Sequence, residues 1–277
     1  MTPFTIAALM MIASGSIHAL VYAIVKGGRD KSAARALTDG SSAIILLPVL
    51  PFVTLPSGAW GWLAASALAH GIYLYALIRA FQRADLSTAY PVLRGTAPML
   101  TAAFTIGVLG EAASTADIAG IALIGGAMFV LVMGRHIDRE SMAWSLLTGV
   151  MIAIYTVIDA YGVRAAPTPA GYIVWLFVMM GVLTPVMFGV ATRGEIFASV
   201  RTQWKAGAIA GALSIVTYGM ALWAFSMGPT APLAALRETG MVTALAIAMF
   251  GLKERVTWHR IVAVAMILGG AVLLLAA

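Results

Sequence analysis

The sequence predicts an all-α polytopic membrane protein of ten transmembrane helices, built as two inverted five-helix repeats. Three observations predict it. Of the 277 residues, 61% are hydrophobic and 10% charged, with a mean hydropathy of +0.96. A soluble domain carries about a quarter charged residues. Apolar runs of roughly 20 residues, enough to cross a bilayer, follow one another along the chain. Leu93-Arg94-Gly95-Thr96 returns as Leu236-Arg237-Glu238-Thr239 after about half the chain, the mark of an internal repeat. A transmembrane β-barrel would show short alternating segments instead.

The first repeat, residues 1–138, contains expected spans at 4–25, 34–53, 60–79, 86–109 and 115–134. The second, residues 139–277, contains spans at 143–163, 170–191, 205–226, 230–250 and 257–276. The N-terminal run is a span and not a cleaved signal peptide, because it lacks a basic lead and outlasts a signal's apolar core. Asp39 and Gly40 interrupt the pattern of the second span. Five is odd, so the second repeat enters the membrane upside down relative to the first. Inverted repeats of this kind occur in secondary transporters, with the substrate near the midplane.

Charge supports the count. In the ten-span reading, Lys26, Arg29, Lys31, Arg35, Arg79, Arg83, Arg135, Arg139, Arg193, Arg201, Lys205, Lys253, Arg255 and Arg260 fall on one side. Arg164 alone falls on the other. The positive-inside rule makes the rich side cytoplasmic and puts both termini outside. The net charge of +6 sits in short loops, so it is no nucleic-acid signature. The chain has no cysteine, which removes disulfides and thiolate metal sites.

Two arginines break the apolar pattern inside spans. Arg94 and Arg237 each lie about 10 Å or more along their helices. An arginine at a helix centre costs about 2.5 to 3.5 kcal/mol on insertion scales. It persists where it faces water or an anion, and its planar fork suits a carboxylate or phosphate. Two readings stay open: substrate contact, or a structural ion pair of Arg94 with Glu238. Glu238 is read as the one mid-span carboxylate, suited to an ammonium group or a proton. Asp39 and Asp159 are expected at solvated interfaces.

Other spans carry one polar or aromatic face. Ser14, His18 and Tyr22 recur in the first. Ser66, His70 and Tyr73 share a face of the third, and Ser214, Thr217 and Tyr218 a face of the eighth. Tyr90, Arg94, Pro98, Thr101 and Thr105 align in the fourth. Hydrocarbon cannot satisfy such groups, so they turn inward, toward a cavity or toward helix partners. His70 is a candidate proton relay because imidazole changes charge near neutral pH. Pro91, Pro98, Pro229 and Pro232 gather at the fourth and ninth spans, where they free backbone groups or mark helix starts. Spans five and ten are Gly-rich, and Ala122/Gly126 and Ala265/Gly269 are small-residue pairs suited to close helix contact.

The two five-span halves, the turns Gly110-Glu111 and Lys253-Glu254, and the pairs Gly125-Gly126 and Gly269-Gly270 together resemble the EamA-type transporters of the drug/metabolite transporter superfamily. Lys253 departs from the Gly-Glu pattern. The resemblance implies a basket of spans one to four and six to nine around a central cavity, with five and ten as scaffold. It implies export of small metabolites across a bacterial inner membrane, and the buried arginines and Tyr/His faces look like exporters of amino acids, including aromatic ones. In that reading Arg94 or Arg237 holds a carboxylate and Glu238 an ammonium or coupling proton. His18, His70, Ser214, Tyr22, Tyr73, Tyr90, Tyr218 and Trp223 complete the wall.

The expected partners are a small-molecule substrate, the lipid bilayer and protons as a coupling or counter ion, with no nucleic acid, no metal and no cofactor. One copy is expected to suffice, and no catalytic residue is expected. Two other classes compete with this reading. An exporter of cationic drug-like compounds is one. An intramembrane enzyme on lipid or isoprenoid phosphates is the other, but it would gather acids and histidines, and His18, His70, His136 and His259 are scattered. A retinal-type receptor needs a mid-span lysine, and all four lysines fall in loops or at span ends.

Overall fold

A computed structural model describes residues 1–27, 30–83, 86–134, 137–247, 249 and 257–277, and at 22, 23, 25–27, 86–88, 197 and 201 the backbone alone. The Tyr22 side chain, the Lys253-Glu254 turn, His136 and the basic residues Arg29, Arg135 and Arg255 therefore lie outside the described residues. All described regular structure is helical. The helices are α1 (Pro3–Gly27), α2 (Lys31–Leu46), α3 (Trp60–Arg83), α4 (Leu86–Gly107), α5 (Thr115–Val130) and α6 (Arg139–Ala165). They continue as α7 (Pro169–Ala191), α8 (Ile196–Phe225), α9 (Thr230–Arg237), α10 (Gly240–Ala246) and α11 (Trp258–Ala276).

Helix starts follow from local chemistry. Asp30, Ser114, Asp138 and Thr168 each accept backbone N–H groups at the head of α2, α5, α6 and α7, satisfying donors that have no helical partner. Asp138 is held below the usual carboxylate range, chiefly by its hydrogen bonds from Ser141. Pro48 and Pro51 turn the end of the second expected span into a 3₁₀ helix, Leu47–Phe52. Asp39 and Gly40 do not interrupt α2. Asp39 pairs with Arg35 one turn earlier at 2.9 Å, which neutralises the charge inside the helix.

Among the described residues, seven helices are long and apolar enough to cross a membrane. The other ranges fall short for separate reasons. Helix α4 carries Arg94 and two internal prolines, and α5 has 16 residues. The range expected as one span at 230–250 divides into α9 and α10. At the division Glu238 and Thr239 take tighter, 3₁₀-like angles,. Their N–H groups bond three residues back, to Ala235 and Leu236 at 2.9 and 3.1 Å. The Thr239 hydroxyl donates to the Leu236 carbonyl at 2.7 Å. Gly240 packs at this bend directly on the backbone of Gly15 in α1, and a Cβ on either glycine would overlap the other chain. The bend therefore depends on two missing side chains.

Helices pack mainly across the middle of the sequence. Helix α3 lies on α6, α2 on α7 and α8, α1 on α8, α9 and α10, and α4 on α6 and α9. Helix α5 pairs with α11. Their seam is Gly120 against Gly270, where a Cβ on either would come within 2.8 Å of the opposite carbonyl. Ala122, Ala265 and Gly269, expected at that seam, face outward. Helical rotation of about 100° per residue places 120 and 270 on the contact face and turns 122 and 269 away. No residue of α5 or α11 lines either central cavity described below.

Candidate functional site

A cavity lies between the two halves of the sequence. It encloses about 690 Å³, counting its open mouth. The first half contributes His18, Arg35, Asp39, His70, Tyr73 and Arg94. The second contributes Tyr155, Phe177, Ser214, Thr217, Tyr218 and Arg237, with Ile152, Leu176 and Met180 as apolar wall. A smaller space of about 300 Å³ shares Arg94, Ile152 and Arg237 with it and adds Thr101, Thr156, Phe225 and Glu238. Arg94 and Arg237 thus stand between two chambers.

Each arginine has a defined setting. Arg94 Nε lies 2.8 Å from Glu238 Oε2, and both side chains are under a tenth exposed. That contact is close but misses hydrogen-bond alignment, and Glu238 Oε2 has no aligned donor among the described residues. Its attraction is therefore mainly coulombic, and it joins α4 to the end of α9. The Arg94 guanidinium also lies 5.7 Å from the centre of the Tyr90 ring. Pro98 stands four residues after Arg94 and removes the N–H that would bond the Arg94 carbonyl. Arg237 is 8% exposed. It donates from Nε to the Ser14 hydroxyl at 3.3 Å and lies 5.2 Å from the Tyr218 ring centre. Ser14 in turn donates to the Thr217 carbonyl at 2.7 Å, tying α1, α8 and α9 together.

An aromatic wall stands beside Arg237. His70 stacks on Tyr155 at 3.9 Å between centroids and an interplanar angle of 23°. Tyr73 meets Tyr155 edge-on at 5.3 Å, and Tyr218 meets Tyr155 and Phe177 edge-on at 6.4 Å. Such offset and edge geometries suit the ring quadrupoles. His70 Nδ1 lies 3.0 Å from the Ser66 carbonyl. That oxygen can only accept, so Nδ1 carries the hydrogen.

Several expectations need correction. Asp159 is fully buried and accepts from the Tyr172 hydroxyl at 2.8 Å and from the Tyr218 hydroxyl. Asp39 is also buried and faces the cavity. Among the described residues Glu238 is accordingly one of three buried carboxylates, with Asp39 and Asp159. Trp223 is 44% exposed. It lies five residues past Tyr218, about 140° around α8, so it faces outward. Tyr90 is not among the residues lining the cavity, and its ring lies against the Arg94 guanidinium. Sequence reasoning missed Tyr155, Asp159 and Phe177. The stripe Ile152, Tyr155, Thr156, Asp159 at spacings of three and four was the available signal.

A second polar cluster sits at the opposite end of α9. Glu111, in the turn after α4, accepts from the Thr230 N–H at 2.9 Å, the Thr230 hydroxyl at 2.8 Å and Arg164 Nη1 at 3.2 Å. Arg164 also donates to the carbonyls of Phe225 at 2.8 Å and Gly228 at 2.6 Å. Burial pushes the Glu111 carboxyl up, but the bonds from Thr230 and Arg164 outweigh it and leave it below the usual carboxylate range. Gly110, with φ +71°, makes the turn that aims Glu111 here,.

Residues 140–276 match the EamA-like transporter family. The matched stretch holds Tyr155, Phe177, Ser214, Tyr218 and Arg237 of the cavity wall, with Asp159 and Glu238 beside it. With seven apolar membrane-length helices, the match supports a multi-pass membrane protein that transports a small molecule. A solved crystal structure superposes with a TM-score of 0.72 at 17% identity, covering 98% of this chain and 95% of that one. At that identity it shows the fold alone. No curated protein matches the chain.

Proposed function

We propose that the protein is a secondary transporter exporting amino acids, aromatic or neutral, or similar small carboxylate-bearing metabolites. Transport proceeds by alternating access through the central cavity. One observation carries the reading: Arg94 and Arg237, one from each half, meet at a buried cavity with an aromatic wall. A guanidinium suits a carboxylate, and the ring-lined space suits an apolar side chain.

In this reading ten spans form two inverted five-helix repeats, residues 1–138 and 139–277, with α9 and α10 together as the ninth. Packing supports the exchange of halves: α3 on α6 answers α1 on α8, and α4 on α6 answers α1 on α9 and α10. Both termini lie on the periplasmic side of a bacterial inner membrane, and a monomer suffices. Arg94 and Arg237 hold the carboxylate. His18, His70, Tyr73, Ser214 and Tyr218 complete the binding wall, and Glu238 exchanges between Arg94 and a coupling proton. The Glu111–Arg164–Thr230 cluster closes the periplasmic end. Arginines on the wall disfavour a cationic drug-like cargo.

The test is uptake of labelled amino acids and of carboxylic acids of matching size into proteoliposomes, with and without a pH gradient. Wild type should move at least one of them, and Arg94→Ala and Arg237→Ala should abolish the movement while the protein still folds. Wild-type rates in both variants would remove the arginines from the site. Absence of any carboxylate flux in wild type would overturn the reading.

A further inference from the structure

Resting on the transport reading, we infer that the cargo is a net-anionic aromatic carboxylate, not a zwitterionic amino acid. The charge inventory of the main cavity carries this. Asp39 is committed to Arg35, 2.9 Å away in the same helix. Glu238 is committed to Arg94 at 2.8 Å and lines only the smaller chamber. Asp159 lies behind the wall, holding the hydroxyls of Tyr172 and Tyr218. No carboxylate facing the main cavity is left to receive an ammonium group.

Arg237 is the reverse case. Among the described residues no carboxylate oxygen lies in ion-pair range of it. Its contacts are one hydroxyl, Ser14, and the face of one ring, Tyr218. Glu238 attracts Arg237 only from beyond ion-pair range and is already paired with Arg94, so the buried cation lacks a direct counter-charge, which is unfavourable. A ligand carboxylate supplies that charge, and the guanidinium fork accepts it through two parallel hydrogen bonds. The adjoining Tyr218, Tyr155 and Phe177 present ring edges and faces to a flat aryl group,. An α-ammonium on the same ligand would meet Arg94 and Arg237, while the nearby acids Asp39 and Glu238 are already paired with Arg35 and Arg94.

Three probes share one ring and chain length and differ only in charge: 3-phenylpropionate, L-phenylalanine and phenethylamine. Calorimetric titration of each into the purified full chain reads the preference directly. The acid should bind about tenfold or more tighter than L-phenylalanine, a gap typical of one lost charge pairing, and the amine should not bind. Arg237→Gln should weaken the acid by a similar factor, while Arg237→Lys, keeping the charge without the fork, should fall between. Equal or tighter binding of L-phenylalanine overturns the inference, as does unchanged affinity for the acid in Arg237→Gln. If Arg237→Gln fails to fold, the wild-type ranking and the lysine variant decide alone. The transport reading fails separately, when no carboxylate crosses proteoliposomes of the wild type.

Discussion

Arg94–Glu238 and Arg164–Glu111 join the same kinds of groups in two settings. The first lies mid-bundle, with side chains 7% and 5% exposed, and its contact lacks an aligned hydrogen bond. The second lies at the bundle end, with side chains 29% and 13% exposed. Its members take part in bonds to Thr230, Phe225 and Gly228. A buried pair held mainly by charge loses much when either member is removed. Many aligned partners fix geometry. The central pair thus couples α4 to the end of α9 by charge, and the end pair holds α6, α9 and the α4–α5 turn together.

The largest effect that would break this comparison comes from splitting the central pair. Glu238→Gln leaves Arg94 buried without its counter-charge, a change worth about 3–5 kcal/mol. Thermal unfolding in detergent should show a large drop, and proteoliposome uptake should vanish. Replacing both residues, Arg94→Leu with Glu238→Leu, should restore most of the stability, since apolar replacements of buried pairs are often neutral. Uptake should stay absent. Recovery of uptake in the double variant would make the pair purely structural.

Next in size is the bend that presents Glu238. Gly240→Val places side-chain atoms into the Gly15 backbone, which costs about 1–3 kcal/mol through overpacking. Unfolding temperature should fall and uptake should drop with it. At the bundle end, Glu111→Gln removes the acceptor charge from a well-bonded cluster, a loss of about 1–3 kcal/mol. This variant should change transport rate without changing which solute is preferred. The Glu111 carboxyl is lowered by folding, so its stabilisation is present above the ordinary carboxylate range. It is lost as pH falls through the lowered value. A pH series of unfolding temperatures should show that acid-side loss in wild type and a flatter profile in Glu111→Gln. Smallest is Tyr161→Phe, which deletes a long 3.4 Å bond to Glu111 and should cost about 0.5 kcal/mol by the same assay.

Helices were legible because a bilayer demands long apolar runs, and the described part of each expected range is largely helical, with the 230–250 range broken at Glu238–Thr239. Arg94, Arg237 and His70 were legible as cavity residues because charge in hydrocarbon needs a cause. Other parts were hidden for physical reasons. The break at Glu238–Thr239 uses ordinary residues and a glycine whose meaning lies in contact with Gly15, across the fold. Asp159 sits near the end of a run, where sequence depth suggests water, but Tyr172 and Tyr218 arrive from other helices to cover it. The α5–α11 seam used Gly120 and Gly270, because among several glycines only rotation about the helix axis decides which face meets the partner. Glu111 and Arg164 read as loop charges, since their shared partner Thr230 is distant in sequence.

The central claim is that an aqueous chamber, shared by both halves, receives the buried arginines. The chain has no cysteine, so a single Ser214→Cys on the cavity wall can be read without background. Labelling by a membrane-impermeant maleimide in vesicles of both orientations should proceed, and a transported carboxylate should slow it. Complete silence toward the water-soluble reagent, with modification only by a lipid-soluble one, would contradict the account.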